Sequence, residues 1–105
     1  MSYTYGFAGI ATCKSANLVG ANTSSIIGGQ KVAIRIFSAA LAASSNTLDL
    51  YNGTVAADAI ATNKVLYLDK SNPYINSNAG WLFTSGCYAV ATGGTANVVF
   101  IQEIY

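Results

Sequence analysis

The sequence of 105 residues contains no histidine. Without an imidazole there is no Ser-His-Asp or Cys-His catalysis, no His-ligated zinc and none of the commonest general base at neutral pH. Charge is almost as scarce. Charged residues make up 9% of the chain, against about 25% in an ordinary soluble domain. A formal net charge of +1 provides no electrostatic basis for binding nucleic acid or an anionic membrane, so neither is expected as a partner. The acids Asp49, Asp58, Asp69 and Glu103 are scattered singly. They form neither the cluster that calcium needs nor an evident carboxylate pair for glycoside hydrolysis. A Ser-Lys dyad would need a serine held against Lys14, Lys31, Lys64 or Lys70, and no local motif provides one. No G-x-S-x-G, Walker loop or G-x-G-x-x-G occurs. The expectation is a protein that is not an enzyme, with no catalytic residue, no metal and no cofactor.

Long apolar runs are also missing. The best candidate, "VAIRIFSAALAA", is shorter than the roughly 20 residues a membrane helix requires and carries Arg35. The start of the chain, "MSYTYGFAGIATCK", lacks a basic segment before its apolar residues. That argues against secretion, and so against glycosylation at the sequons Asn22-Thr23-Ser24 and Asn52-Gly53-Thr54. The two cysteines, Cys13 and Cys87, match no metal spacing. Both lie in apolar strand-like contexts and read as buried free thiols, with a single Cys13–Cys87 disulfide as the alternative.

What is present is apolar: 52% of the residues are hydrophobic. The polar surface must come from Ser, Thr, Asn and Gly, over a third of the chain. The length fits one domain spanning 1–105. A small, charge-poor chain with apolar residues to spare is expected to bury part of its outside against other subunits.

Helix signals are weak, the one helix-like stretch being "SAALAASS" at 38–45. Elsewhere β-branched and aromatic runs alternate with Gly, Asn and Ser clusters. That spacing predicts an all-β protein, an antiparallel β-sandwich or jelly roll of about eight strands. Strands are expected near 5–12, 17–19, 31–37, 47–51, 64–69, 81–83, 87–92 and 96–103. Period-2 alternation puts Val32, Ile34 and Ile36 on a core face, and likewise Leu48 and Leu50, and Leu66 and Leu68. Asp49, Tyr51, Tyr67 and Asp69 then face outward. Gly93-Gly94 reads as a hairpin turn joining the last two strands, and Asn52-Gly53 as another turn. The final strand is apolar on both faces, so Val99 and Ile101 need a second cover, either a loop or a neighbouring subunit. The stretch 69–80, with the only proline, Pro73, reads as the longest loop, and Tyr74 and Ile75 are an apolar island in it. They serve either as its anchor or as a contact tip.

Tyr51, Tyr67 or Trp81 would suit a sugar-binding platform, although tyrosine is also favoured in strands for packing and Trp81 beside Leu82 and Phe83 suits the core. In "SYTYGF", Tyr3, Tyr5 and Phe7 share one face of an extended segment. Residues 1–15 thus form either an arm laid on a neighbour's sheet or the first strand of the sandwich.

A joint pattern carries a resemblance. Leu50-Tyr51-Asn52-Gly53-Thr54 is followed by Phe83-Thr84-Ser85-Gly86-Cys87-Tyr88-Ala89-Val90, then Gly93-Gly94, then the apolar run 98–101. Over residues 31–105 this resembles the small β-sandwich virion structural proteins of tailed bacteriophages. One departure is the alanine-rich "VAADAIATN" at 55–63, which leaves the pairing of the next strand open. The resemblance implies a virion protein assembled in the host cytoplasm. Within that group a capsid decoration (cement) protein is expected, a homotrimer on the major capsid protein. A tail, neck or fibre module is the alternative, and a carbohydrate-binding module the alternative of another class. Interface residues are expected at Tyr3, Tyr5, Phe7, Tyr74, Ile75, Val99, Ile101 and Tyr105.

Overall fold

The computed structural model describes residues 11–18, 23–41 and 43–104. Eight strands are found among them: β1 (Ala11–Leu18), β2 (Thr23–Ile27), β3 (Val32–Leu41), β4 (Thr47–Asn52), β5 (Lys64–Asp69), β6 (Tyr74–Phe83), β7 (Cys87–Thr92) and β8 (Ala96–Ile104). They form two four-stranded antiparallel sheets, in the orders β1-β8-β3-β6 and β2-β7-β4-β5. Every connection except β4–β5 crosses from one sheet to the other. This is the jelly-roll arrangement of a sandwich.

The core lies between the sheets. Val32, Ile34, Phe37, Ala39 and Leu41 of β3 meet Leu48, Leu50, Leu66, Leu68, Ala89 and Ala91 from the second sheet. Phe37 and Phe100 stack in the middle with ring centroids 5.3 Å apart. Such a pair adds about 0.5–1.5 kcal/mol beyond its burial. The inward placement of Leu48, Leu50, Leu66 and Leu68 follows the alternation in the sequence.

Strand β3 departs from strict alternation. Its register shifts between Ile34 and Ile36 against both neighbours. A bulge changes the parity of a strand, so residues beyond it present the opposite face. Phe37 therefore points into the core, and Ile36 lies half-buried on the outside beside Ile101, not in the core as alternation predicts. Beyond the bulge, 38–41 continue β3 as strand rather than helix, because Ala39 and Leu41 fill the inner face opposite Val98 and Ala96.

Three further expectations change. Gly93-Gly94 is not a hairpin, since β7 and β8 lie in different sheets; the turn is an arch spanning the sandwich. Most of 69–80 is strand: after a turn closed by Asp69, the chain enters β6 at Tyr74. The expected short strand at 17–19 is the end of β1, whose Asn17 and Leu18 pair with Asn97 and Ala96; Val19 lies outside the described residues. Residues 11–15 also belong to β1 and pair with β8 of the same chain. Within 1–15, that part is first strand. Both thiols are free, and Cys13 is exposed on the edge strand β1 while Cys87 is in the core.

Candidate functional surfaces

No ligand-sized cavity opens among the described residues, and no group of three His, Cys, Asp or Glu side chains comes together there. What the fold offers is two flat outer faces of different chemistry.

The outer face of the first sheet is built by cross-strand rows, read across β1, β8, β3 and β6. One row is Ser15, Val99, Ser38 and Tyr74, the next Cys13, Ile101, Ile36 and Asn76, and the last ends in Ala33 and Leu82. Val99, Tyr74 and Leu82 are 51%, 54% and 48% exposed, and Ile101 and Ile36 lie half-buried between them. In these rows the one charged residue is Glu103, and Arg35 from the bulge pairs with it at 3.1 Å. Both lie flat, with 20% and 15% of their side chains exposed. The face thus carries no net charge, and its apolar strip of Val99, Ile101, Ile36, Tyr74 and Leu82 is set among Ser15, Ser38, Asn76 and a further row of Asn17, Asn97 and Ala40.

The structure brings together three of the interface residues expected from the sequence, Tyr74, Val99 and Ile101. Ile75 does not join them. It sits opposite Phe37 on the inner side of β6 and packs against the core, because it is one position out of phase with Tyr74. Tyr3, Tyr5, Phe7 and Tyr105 lie outside the described residues. Leu82 and Ile36 belong to the face but were not legible as such. Leu82 follows a register jump in β6, and Ile36 follows the bulge.

The second sheet turns a different face outward. Tyr88, Tyr51 and Lys64 form one row, and Val90, Asp49 and Tyr67 the next. Lys64 Nζ lies 3.0 Å from Asp49 Oδ1, and 5.9 and 5.8 Å from the ring centroids of Tyr51 and Tyr67. The hydrogen bond to Asp49, and then its charge, hold the Lys64 ammonium above the ordinary lysine pKa. Trp81, the other residue considered for a sugar platform, is on β6 of the opposite sheet and packs against the core.

Between these faces, one end of the sandwich is closed by the two sequence motifs that occur together. Asn52 Nδ2 donates to Thr84 Oγ1 at 2.8 Å, and Ser85 N donates to Asn52 Oδ1 at 2.8 Å. Gly53 N donates to Gly86 O at 3.2 Å. Gly53 is not part of a two-residue hairpin. The chain continues through two short 3₁₀ turns, Ala56–Asp58 and Ala61–Asn63, before β5 returns to pair with β4. Asp58 Oδ2 accepts from Thr54 N and Val55 N at 2.9 and 3.2 Å, and its side chain fills the space where a Cβ on Gly53 would stand.

No family model matches this chain. No curated protein matches it either. Among solved structures it is similar to PliG of Aeromonas hydrophila, a periplasmic inhibitor of g-type lysozyme, at 13% identity over 100% of this chain and 93% of that one, with a TM-score of 0.40. It is also similar to the Yersinia pseudotuberculosis-derived mitogen, at 14% identity over 92% and 87% of the two chains, with a TM-score of 0.37. A third is the metallopeptidase IMPa of Pseudomonas aeruginosa, at 16% identity and a TM-score of 0.42; 96% of this chain is covered but 13% of that one. Likeness at this level carries no argument about function.

Proposed function

We propose that this chain is a non-enzymatic structural subunit of a bacteriophage particle, a capsid decoration protein that acts as a homo-oligomer on the major capsid protein, with a trimer as the expected form. The observation that supports the reading is the outer face of the first sheet. Val99, Tyr74 and Leu82 expose apolar side chains there, and its charges, Arg35 and Glu103, neutralise each other. A face of this kind gains by being covered, as permanent subunit interfaces are, and it imposes no charge barrier on a second copy. The location on a phage head rests on the sequence resemblance. A lattice presents many equivalent sites, so an oligomer that binds weakly through each subunit holds tightly as a whole.

The test has two parts. Light scattering of the purified chain should give the mass of an oligomer, and Val99→Asp should reduce it to a monomer that remains folded by circular dichroism. The wild type should also stay bound to phage heads in about 1 M salt, because little of the contact is ionic. A wild-type monomer with no affinity for any particle would sink the reading. A label seen by electron microscopy on the tail, neck or fibre would transfer the protein to those parts of the virion.

A further inference from the structure

The outer face of the second sheet plays no part in that assembly reading, and its chemistry points elsewhere. An acid–base pair, Asp49 and Lys64, is set between two tyrosine rings, with the ammonium nearly equidistant from both. Tyr67 is 51% exposed and Tyr51 half-buried, while Tyr88 is packed beside Tyr51 with 8% exposed. The next acid along the face, Asp69, is occupied locally, since its Oδ1 accepts from Ser71 N and Asn72 N at 3.0 and 2.9 Å.

Each property narrows the ligand. The surface is flat, so the ligand lies on it rather than in it. Its charges are paired, so there is no field to hold a phosphate, a nucleic acid or a strongly charged peptide. An apolar segment of protein would have to desolvate Asp49 and Lys64 without replacing their water. It would find a better seat on the first sheet, where the ion pair Arg35–Glu103 is already more buried than Lys64 and the exposed side chains near it are apolar. A ligand that fits has an apolar face for the rings and a rim of groups that both donate and accept hydrogen bonds. A pyranose has both, with its C–H face and equatorial hydroxyls. Because β5 is an edge strand, the strip is open beyond Tyr67, and a chain of sugars can run past it.

We propose that this face binds a neutral polysaccharide, one pyranose stacking on the ring of Tyr67 with its hydroxyls bonded to Asp49 and Lys64, and an adjacent unit reaching Tyr51. Asp49 Oδ1 is buried against Lys64, so the other carboxylate oxygen accepts from a hydroxyl and the ammonium donates to a neighbouring oxygen, and each exposed polar atom keeps a partner when water leaves. Stacking supplies affinity and the pair supplies orientation.

Affinity electrophoresis tests this directly, using gels that contain a soluble β-glucan, a galactomannan or a xylan, with alginate as an anionic control. At least one neutral polymer should retard the protein, by an amount that salt does not change. Calorimetry with oligosaccharides of that polymer should then show Tyr67→Ala weakening binding by roughly tenfold or more. Tyr67→Phe should stay close to wild type. Asp49→Asn, which keeps the shape but removes the charge, should also weaken binding, and it provides a second test should Tyr67→Ala fold poorly. The proposal is overturned if no neutral polymer retards the protein, if Tyr67→Ala and Asp49→Asn bind as wild type does, or if alginate alone retards it and salt abolishes the effect. Light scattering on the same samples separates this result from the assembly reading, since Tyr67→Ala should leave the oligomer's mass unchanged.

Discussion

Asn52 at the end of β4 holds Ser85 in the loop between β6 and β7: Ser85 N donates to Asn52 Oδ1 at 2.8 Å, and the Asn52 amide nitrogen donates to Thr84 Oγ1. These bonds join a Tyr-Asn-Gly-Thr strand end to a Phe-Thr-Ser-Gly-Cys step in this chain. Far apart in sequence, they are two halves of one joint. Asparagine suits it because its side chain offers an acceptor and a donor in one plane.

Replacing Asn52 by Ala removes both bonds at a site open to solvent. The expected loss is about 1 kcal/mol, read as a lower midpoint in urea unfolding with an unchanged slope. Asn52→Asp retains the acceptor for Ser85 N and should lie between the two.

The other end of β4 has a matching device with higher stakes. Asn46 is fully buried, and its Nδ2 donates to Thr92 O at 2.9 Å and Gly94 O at 3.2 Å. It ties the arch between β7 and β8 to the entry of β4, so β7 is held at both ends by asparagines that flank its neighbour. Asn46→Ala should destabilise by about 2–3 kcal/mol, because it removes both bonds and leaves a void beside them. The order expected in denaturation is wild type, Asn52→Ala, then Asn46→Ala.

Gly86 follows Ser85 and has no tolerance for a side chain. Its φ is +95°, and a Cβ there would stand 2.5 Å from Gly28 O and 2.7 Å from Ile27 O. Those are backbone atoms of the neighbouring β2 end and cannot swing aside. Gly86→Ala should cost about 3 kcal/mol, visible as a drop in melting temperature. Gly53→Ala should also be costly: its φ is +149°, a Cβ there would clash with the Cβ of Asp58, which no rotamer change moves, and turning the carboxylate away would break its bonds from Thr54 N and Val55 N.

Much of the fold was legible in the residues because strict alternation is easy to read. Leu48, Leu50, Leu66 and Leu68 point inward as their period requires, and the all-β sandwich followed from runs like these. Alternation is blind to a bulge, however, and the shift at Ile34/Ile36 transferred Phe37 to the core and Ile36 to the surface. Turn chemistry has a similar limit. Gly93-Gly94 specifies a sharp reversal but does not say whether the next strand pairs in the same sheet or crosses to the other. Of the tyrosine face, Tyr51 and Tyr67 were visible as outward residues. That Lys64 would stand between them depended on a pairing across the 11-residue stretch 53–63, which local pattern does not set.

The two cysteines should react very differently. Cys13 is exposed, while burial pushes the Cys87 thiol well above its ordinary pKa. A thiolate-directed aromatic disulfide reagent at pH 8 should label one thiol per chain within seconds to minutes in the monomeric Val99→Asp variant and more slowly in the wild type, where Cys13 lies on the face proposed to be covered, and Cys13→Ser should abolish that phase. Labelling of Cys87 should follow the rate of opening of the core, and become fast in denaturant.

Lys64 makes alkaline stability depend on Asp49. The ammonium's pKa is raised in the folded state by its bond to Asp49, so folding holds this proton more tightly than the unfolded chain does. The resulting stabilisation is fully present below the unfolded lysine value near 10.5 and is lost as pH rises through the raised folded value. Wild type alone would not isolate the effect. The difference in stability between wild type and Asp49→Asn is the informative quantity. It should be constant from about pH 7 to pH 9, then shrink toward zero above the usual lysine range. Because the ammonium is at the surface, the difference should also diminish in high salt. A gap between the two proteins that persists unchanged at pH 12 would mean that Asp49 stabilises the sheet through something other than the charge on Lys64.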